Sequence, residues 1–205
     1  MQRPPIQTRA ATPADRARVA AIMAAAFADD PAMCCIFSDA AQRPERLQRF
    51  FTLIQRTERD PALTVIAGGD DTATTGAAAA IWRRPGEWQT PTTTMLRLAL
   101  PLLTTFGGAL RRALRLQAMM EAHHPRVPHW YLEFLGCDPA QQGRGYGGAA
   151  VRARLAQCDA AGLPAALETA TESNLAIYTA MGFRITDTFK LDDGPQFWGM
   201  WRDPV

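Results

Sequence analysis

Gln142-Gly143-Arg144-Gly145-Tyr146-Gly147-Gly148 decides how the rest of this chain is read. It lies between a strand-like run, His129 to Cys137, and a helix-like run, Gly148 to Ala161. Four glycines within six residues let the backbone turn tightly and come close to a ligand. A glycine-rich turn that opens a helix presents free N–H groups, which suit a phosphate. The stretch therefore predicts a pocket for a phosphate-bearing cofactor.

Two frames fit the glycines. Gly143, Gly145 and Gly148 spell G-x-G-x-x-G, and Glu168 lies about 20 residues on, where a dinucleotide fold places an acid for the ribose. In that fold the first glycine comes directly off the strand, whereas here Asp138 to Gln142 intervene with a proline among them. Only 57 residues follow Gly148, too few for the usual βα repeats, and they end in an apparent hairpin. A nicotinamide oxidoreductase stays as a rival reading. The other frame is Gln142-x-x-Gly145-x-Gly147.

The segments around the stretch set the fold class. Ile6 to Arg9 is a short strand candidate, and Thr12-Pro13-Ala14-Asp15 starts a helix whose apolar face carries Val19, Ile22, Met23, Ala26 and Phe27. That helix ends near Asp29-Asp30-Pro31, with the two acids read as a solvated end or a substrate-facing loop. Pro44 to Asp60 is a second helix with Leu47, Phe50, Phe51 and Ile54 on one stripe. Its Arg43, Arg46, Arg49 and Arg56 read as a solvated face. Leu63 to Ala67 and Thr74 to Trp82 form a hairpin across Gly68-Gly69-Asp70-Asp71. Residues 85–128 read as an inserted helical pair, Thr92 to Phe106 and Leu110 to Glu121. There Trp88, Met95, Met119 and Met120 are core residues or pocket lining. Ala165 to Thr169 is a strand, Ser173 to Met181 a short helix closed by Gly182, and Phe183 to Lys190 with Gln196 to Trp201 a final hairpin. The expectation is one α+β domain over residues 1–205, a mixed sheet with helices on both faces, whose cofactor half is 128–202.

Composition narrows the function. The chain is 47% apolar and 20% charged, which excludes a disordered segment, and a net charge of only +2 argues against a dedicated nucleic-acid binder. Met1 to Thr8 lacks the pattern of a secretory leader. The longest apolar run, Met95 to Leu110, is broken by Arg97, Pro101 and Gly107-Gly108, so no membrane span is expected. Cys34, Cys35, Cys137 and Cys158 show neither a C-x-x-C pair nor a zinc spacing. They read as reduced thiols of a cytoplasmic protein, and no metal is expected.

The second glycine frame resembles the acetyl-coenzyme A signature of the Gcn5-related N-acetyltransferase (GNAT) family. His129-Trp130-Tyr131-Leu132-Glu133-Phe134-Leu135-Gly136-Cys137-Asp138-Pro139 is similar to that family's fourth strand and the approach to its pyrophosphate loop. Asn174-Leu175-Ala176-Ile177-Tyr178-Thr179-Ala180-Met181-Gly182-Phe183 is similar to its second cofactor element. Leu167-Glu168-Thr169, Gly194-Pro195 and Trp198 resemble most the branch containing puromycin N-acetyltransferase. The resemblance implies a central, mostly antiparallel sheet and direct transfer of acetyl from acetyl-coenzyme A to an amine. The acceptor would be a small molecule, with antibiotics among the candidates. The sequence does not name the acceptor, and it leaves a homodimer open.

By the same resemblance the backbone of Gly143, Arg144, Gly145, Tyr146, Gly147 and Gly148 holds pyrophosphate, with side-chain contacts from Gln142 and Arg144. Leu135, Gly136 and Cys137 line the pantetheine arm, and an N–H of Leu135 polarises the thioester carbonyl. Asn174 contacts the cofactor. Tyr178, on the same helix face at i+4, gives a proton to the departing thiolate. Cys137 has no evident base beside it and reads as structural. With period 2, Glu133 shares a face with Tyr131 and Leu135, and it is the candidate general base, directly or through water. His123, His124 and His129 are alternatives, with His129 preferred because it lies on the Glu133 face. A non-catalytic acyl-coenzyme A sensor that keeps the pocket is the alternative from another class.

Overall fold

A computed structural model of the chain describes residues 5–69, 76–89 and 92–205. Its sheet has seven strands: β1 (Gln7–Ala10), β2 (Thr64–Gly68), β3 (Ala78–Arg83), β4 (Trp130–Cys137), β5 (Ala165–Thr169), β6 (Arg184–Lys190) and β7 (Gln196–Arg202). They lie in the order β1-β2-β3-β4-β5-β7-β6. The β4–β5 pair is parallel, while the other neighbouring pairs are antiparallel. This is the expected mixed sheet. The hairpin between β2 and β3 is present, but Asp70 and Asp71 of its expected turn and Thr74 and Thr75 at the start of its expected second strand lie outside the described residues.

Both faces of the sheet are covered, which explains why its central strands are apolar throughout. One face carries α1 (Arg16–Ala26), α2 (Pro31–Ile36), α3 (Arg43–Thr57), α5 (Ala99–Phe106) and α6 (Leu110–His123); the last two follow α4 (Thr92–Arg97). Val19, Met23, Phe51, Ile66, Ala79 and Ile81 meet in the core on that side. The other face carries α7 (Tyr146–Ala160), whose Val151 and Leu155 pack on Val65, Ala67, Ala80 and Trp82. After β5 comes the short α8 (Leu175–Thr179), followed by the β6–β7 hairpin. No described helix is long and apolar enough to cross a membrane.

Three details depart from the sequence reading. Asp29-Asp30 does not simply end a helix: Asp30 caps α2, accepting from the N–H groups of Ala32 and Met33 at 3.0 Å each. Arg43 and Arg46 are not a solvated face. Arg43 donates to the carbonyls of Phe37 and Ala28, and Arg46 to that of Phe106, so both tie α3 to segment ends elsewhere. Of the apolar residues singled out between β3 and β4, Trp88 and Met120 line a cavity, Met119 packs against the core, and the side chain of Met95 lies outside the described residues.

The third departure concerns β4. Ile81 pairs with Phe134 but Trp82 pairs with Leu132, so Glu133 is an extra residue with no partner on β3. Such a bulge breaks the two-residue alternation. Phe134 joins Phe27, Phe50 and Phe51 on the α3 side, whereas Leu135 packs toward α7. Glu133 therefore does not share a face with Leu135.

Gly136 has a packing role. A Cβ there would lie 2.7 Å from Met23 Sδ, 3.1 Å from Ala26 Cβ and 3.4 Å from Met23 Cα, because α1 crosses directly over it. Gly136→Ala should therefore destabilise the fold by about 1–3 kcal/mol in urea unfolding. Gly147→Ala, whose new Cβ would meet Leu135 at an ordinary 3.8 Å, should not.

Candidate active site

The β4–β5 pairing stops early. Trp130, Tyr131 and Leu132 pair with Ala165, Ala166 and Leu167, and beyond them the two strands separate. Among the described residues no strand pairs with Glu133 to Cys137 on the β5 side of β4, so the main-chain groups on that edge are left for another partner. Glu133 and Glu168 are the first residues past the last pair and flank the crotch of the fork.

On the α7 side the fork meets the glycine turn. Gly143 (φ 74°) and Gly145 (φ 87°) are left-handed, a conformation that selects glycine. Gly145 is the N-cap of α7 and brings no side-chain cap, and the first intrahelical bond is from the Ala149 N–H to the Gly145 carbonyl. The N–H groups of Tyr146, Gly147 and Gly148 therefore point outward at the positive end of the helix dipole. Gln142 and Arg144 are exposed beside them. The Tyr146 side chain turns away into the α7 core, so only its backbone belongs to the turn. Arg152, not anticipated from the sequence, lays its guanidinium 3.2 Å from where a Gly148 Cβ would be. It adds a cation over the first turn of α7. Cys137 is half-buried at the strand end, and burial pushes its thiol up, which fits a structural residue and not a nucleophile.

On the opposite side the fork opens into a cavity of about 360 Å³. Phe27, Phe50, Leu102, Phe106 and Met120 give it apolar walls. Its lining also holds Asp30, Glu121, Glu133 and Glu168 against one arginine, Arg83. The cavity is thus apolar in body and acidic in its polar groups.

Tyr178 and Asn174 both line this cavity, one on α8 and the other at its N-cap. Tyr178 is 6% exposed. Burial, with the nearby Asp30 carboxylate second, pushes its phenol well above the ordinary value of about 10. Tyr178 is therefore a firmly protonated donor. Asp30 is itself pushed up by burial, against hydrogen bonds from Met33, Ala32 and Thr171.

Glu133 is engaged. Its Oε2 accepts from Arg83 Nε at 2.7 Å and also lies 2.7 Å from a terminal nitrogen of that guanidinium. The other terminal nitrogen of Arg83 reaches Glu58 Oε2 at 2.6 Å. Burial raises the Glu133 carboxyl while Arg83 opposes the rise. Arg83 and Glu58 carried no signal in the sequence, because their partners are 25 and 50 residues apart along the chain.

The three histidines have different settings. His123 is on the surface, paired with Asp187 at 2.7 Å and stacked on Phe189. His129 has its Nδ1 on the Val127 carbonyl at 2.6 Å, its Nε2 is buried without a partner among the described residues, and burial lowers its basicity. The preference for His129 is not upheld by this geometry. His124 is the histidine that lines the cavity, with Nδ1 3.0 Å from Glu168 Oε1.

Residues 112–183, which span the fork, the glycine turn and Tyr178, match the model of the acetyltransferase (GNAT) family. Solved structures share the fold over the whole chain. One is described as histone acetyltransferase HPA2 and related acetyltransferase from Corynebacterium glutamicum: TM-score 0.70, 23% identity, covering 98% of this chain and 97% of that one. Another is arylalkylamine N-acetyltransferase 2 from Aedes aegypti: TM-score 0.67, 11% identity, 98% and 99% covered. A third is a polyamine N-acetyltransferase from Drosophila melanogaster: TM-score 0.65, 14% identity, 97% and 100% covered. At these identities the likeness is one of fold.

Proposed function

We propose that this chain is an acetyltransferase of the GNAT family and moves an acetyl group from acetyl-coenzyme A directly to an amine on a small, largely apolar molecule. The observation that carries the reading is the fork itself. It joins an uncapped helix N-terminus on one side of the sheet to an apolar cavity with acidic groups on the other. A cosubstrate with phosphate at one end and a thioester at the other fits that path, and an ammonium group on an apolar body fits the cavity. Solved structures that share the fold include an arylalkylamine N-acetyltransferase and a polyamine N-acetyltransferase, both named for amine acceptors.

In this reading the N–H groups of Gly143 to Gly148 hold the pyrophosphate, and Gln142, Arg144 and Arg152 add side-chain contacts. The free edge at Leu135, Gly136 and Cys137 pairs with the pantetheine amides. A Leu135 N–H polarises the thioester carbonyl, and Asn174 contacts the coenzyme near the thiol. Tyr178 gives its proton to the departing thiolate. Glu133, fixed by Arg83, supplies negative charge at the crotch of the fork, where the ammonium enters.

Titration calorimetry with acetyl-coenzyme A should show saturable binding. Coenzyme A thiol should then appear when 2-phenylethylamine, tyramine, agmatine and spermidine are offered in turn, most readily with the two aromatic amines. Absence of binding at about millimolar cofactor, the weak end of specific affinities, would sink the proposal. Binding without thiol release from any amine would make the protein an acyl-coenzyme A sensor.

A further inference from the structure

The proposed reaction needs a group that removes a proton from the incoming ammonium, and we infer that this group is His124, oriented by Glu168. The inference rests on the acetyltransferase reading above. His124 follows the last turn of α6, and Glu168 stands on β5 at the crotch of the fork, 44 residues away in the chain. Their side chains are 3% and 2% exposed, and Nδ1 lies 3.0 Å from Oε1. With the Nδ1 proton directed to Glu168, a neutral imidazole leaves its Nε2 lone pair bare. Among the described residues Nε2 is buried with no hydrogen-bond partner. A buried acceptor left bare is costly, and His124 is among the residues that line the cavity.

The surroundings hold the ring in place. Trp88 stacks on it with centroids 4.0 Å apart, and Tyr131 meets it edge-on at 4.7 Å. The titratable and charged groups facing it are Glu168 from β5, Tyr131 from β4, His129 from the segment before β4, and Arg126 across the Trp88 ring. Glu133 is the competing base, but it is already bound to Arg83. When the ring takes a proton, Glu168 is there to face the resulting positive charge, as a carboxylate supports a catalytic imidazole elsewhere.

The balance is simple. His124 Nε2 takes one proton from the ammonium, and the freed amine attacks the thioester carbon, forming the C–N bond. As the C–S bond breaks, Tyr178 protonates the thiolate sulfur and regains a proton from the new amide nitrogen. The proton on His124 leaves to solvent, so the products are the N-acetyl amine, free coenzyme A and one proton. Glu168 touches neither substrate and acts as a positioning residue.

The test uses the full chain, acetyl-coenzyme A, and whichever of the four amines is turned over fastest. His124→Gln should lower kcat/KM about 10²- to 10⁴-fold while acetyl-coenzyme A affinity stays within about twofold. The acidic limb of the pH–rate profile should flatten, and Glu133→Gln should leave that limb in place. In His124→Ala, added imidazole should restore part of the rate. Glu168→Gln should lower kcat more than it changes KM and move the acidic limb, with Glu168→Asp recovering part of the rate. Full activity in His124→Gln would overturn the assignment, and so would an acidic limb lost in Glu133→Gln but kept in His124→Gln. Because cofactor binding is measured in each variant, an unfolded variant or a protein that never binds acetyl-coenzyme A is told apart from a wrongly assigned base.

Discussion

Tyr178→Phe should lower turnover about 10²- to 10⁴-fold and leave acetyl-coenzyme A affinity close to that of the parent protein. The substitution removes one oxygen and keeps the ring that packs edge-on against Phe183 at 6.1 Å. The loss should therefore fall on kcat, since in the proposed reaction the hydroxyl acts as the C–S bond breaks and not in holding the coenzyme. The pH dependence follows from the same burial. A phenol pushed well above its ordinary value keeps its proton beyond the pH at which an exposed tyrosine would lose it. The parent enzyme should accordingly show no alkaline decline near pH 10, the ordinary tyrosine range, that Tyr178→Phe removes. Stopped-flow release of thiol, with chemistry shown to limit the rate, is the measurement. Unchanged turnover in Tyr178→Phe would assign the hydroxyl a structural role.

What the sequence made legible follows from range. The glycine turn was readable because left-handed backbone at Gly143 and Gly145 is a local demand that local residues must meet. The pairing of Asn174 with Tyr178 was readable because helical spacing is local too. The hidden parts depend on contacts between distant segments. The bulge at Glu133 exists only in the register of β4 against β3, so strict alternation placed Leu135 on the wrong face. His129 looked better than His124 because facing was judged along one strand. What separates them is Glu168 from another strand and the carbonyl of Val127. The six-residue α2 escaped notice because Met33, Cys34, Cys35 and Ile36 are too few to show a period. It matters to the site because its N-cap, Asp30, also accepts from Thr171 and bears on Tyr178.

Arg83→Met should cost about 3–5 kcal/mol of stability at neutral pH, the range expected when one partner of a buried ion pair is removed. Arg83 bridges Glu58, whose side chain is 5% exposed, and Glu133, at 23%. Methionine fills much of the volume but leaves two carboxylates facing each other without a cation. The deficit should depend on pH in a stated direction. Burial already raises the Glu133 carboxyl in the folded protein, and without Arg83 nothing opposes that rise. A carboxyl whose folded pKa exceeds its unfolded one carries no penalty below the unfolded value, about 4.3 for glutamate. The penalty grows as pH climbs from there to the folded pKa and is complete above it. The gap between Arg83→Met and the parent should therefore be widest at neutral pH and narrow on acidification. Adding Glu133→Gln to Arg83→Met should recover stability, whereas Glu133→Gln alone, which keeps the Arg83–Glu58 pair, should cost less than Arg83→Met. Urea unfolding of the four proteins across pH completes the cycle. A pH-independent gap, or additive effects of the two substitutions, would show that Arg83 acts through packing and not as the cation that makes a carboxylate tolerable at the crotch of the fork.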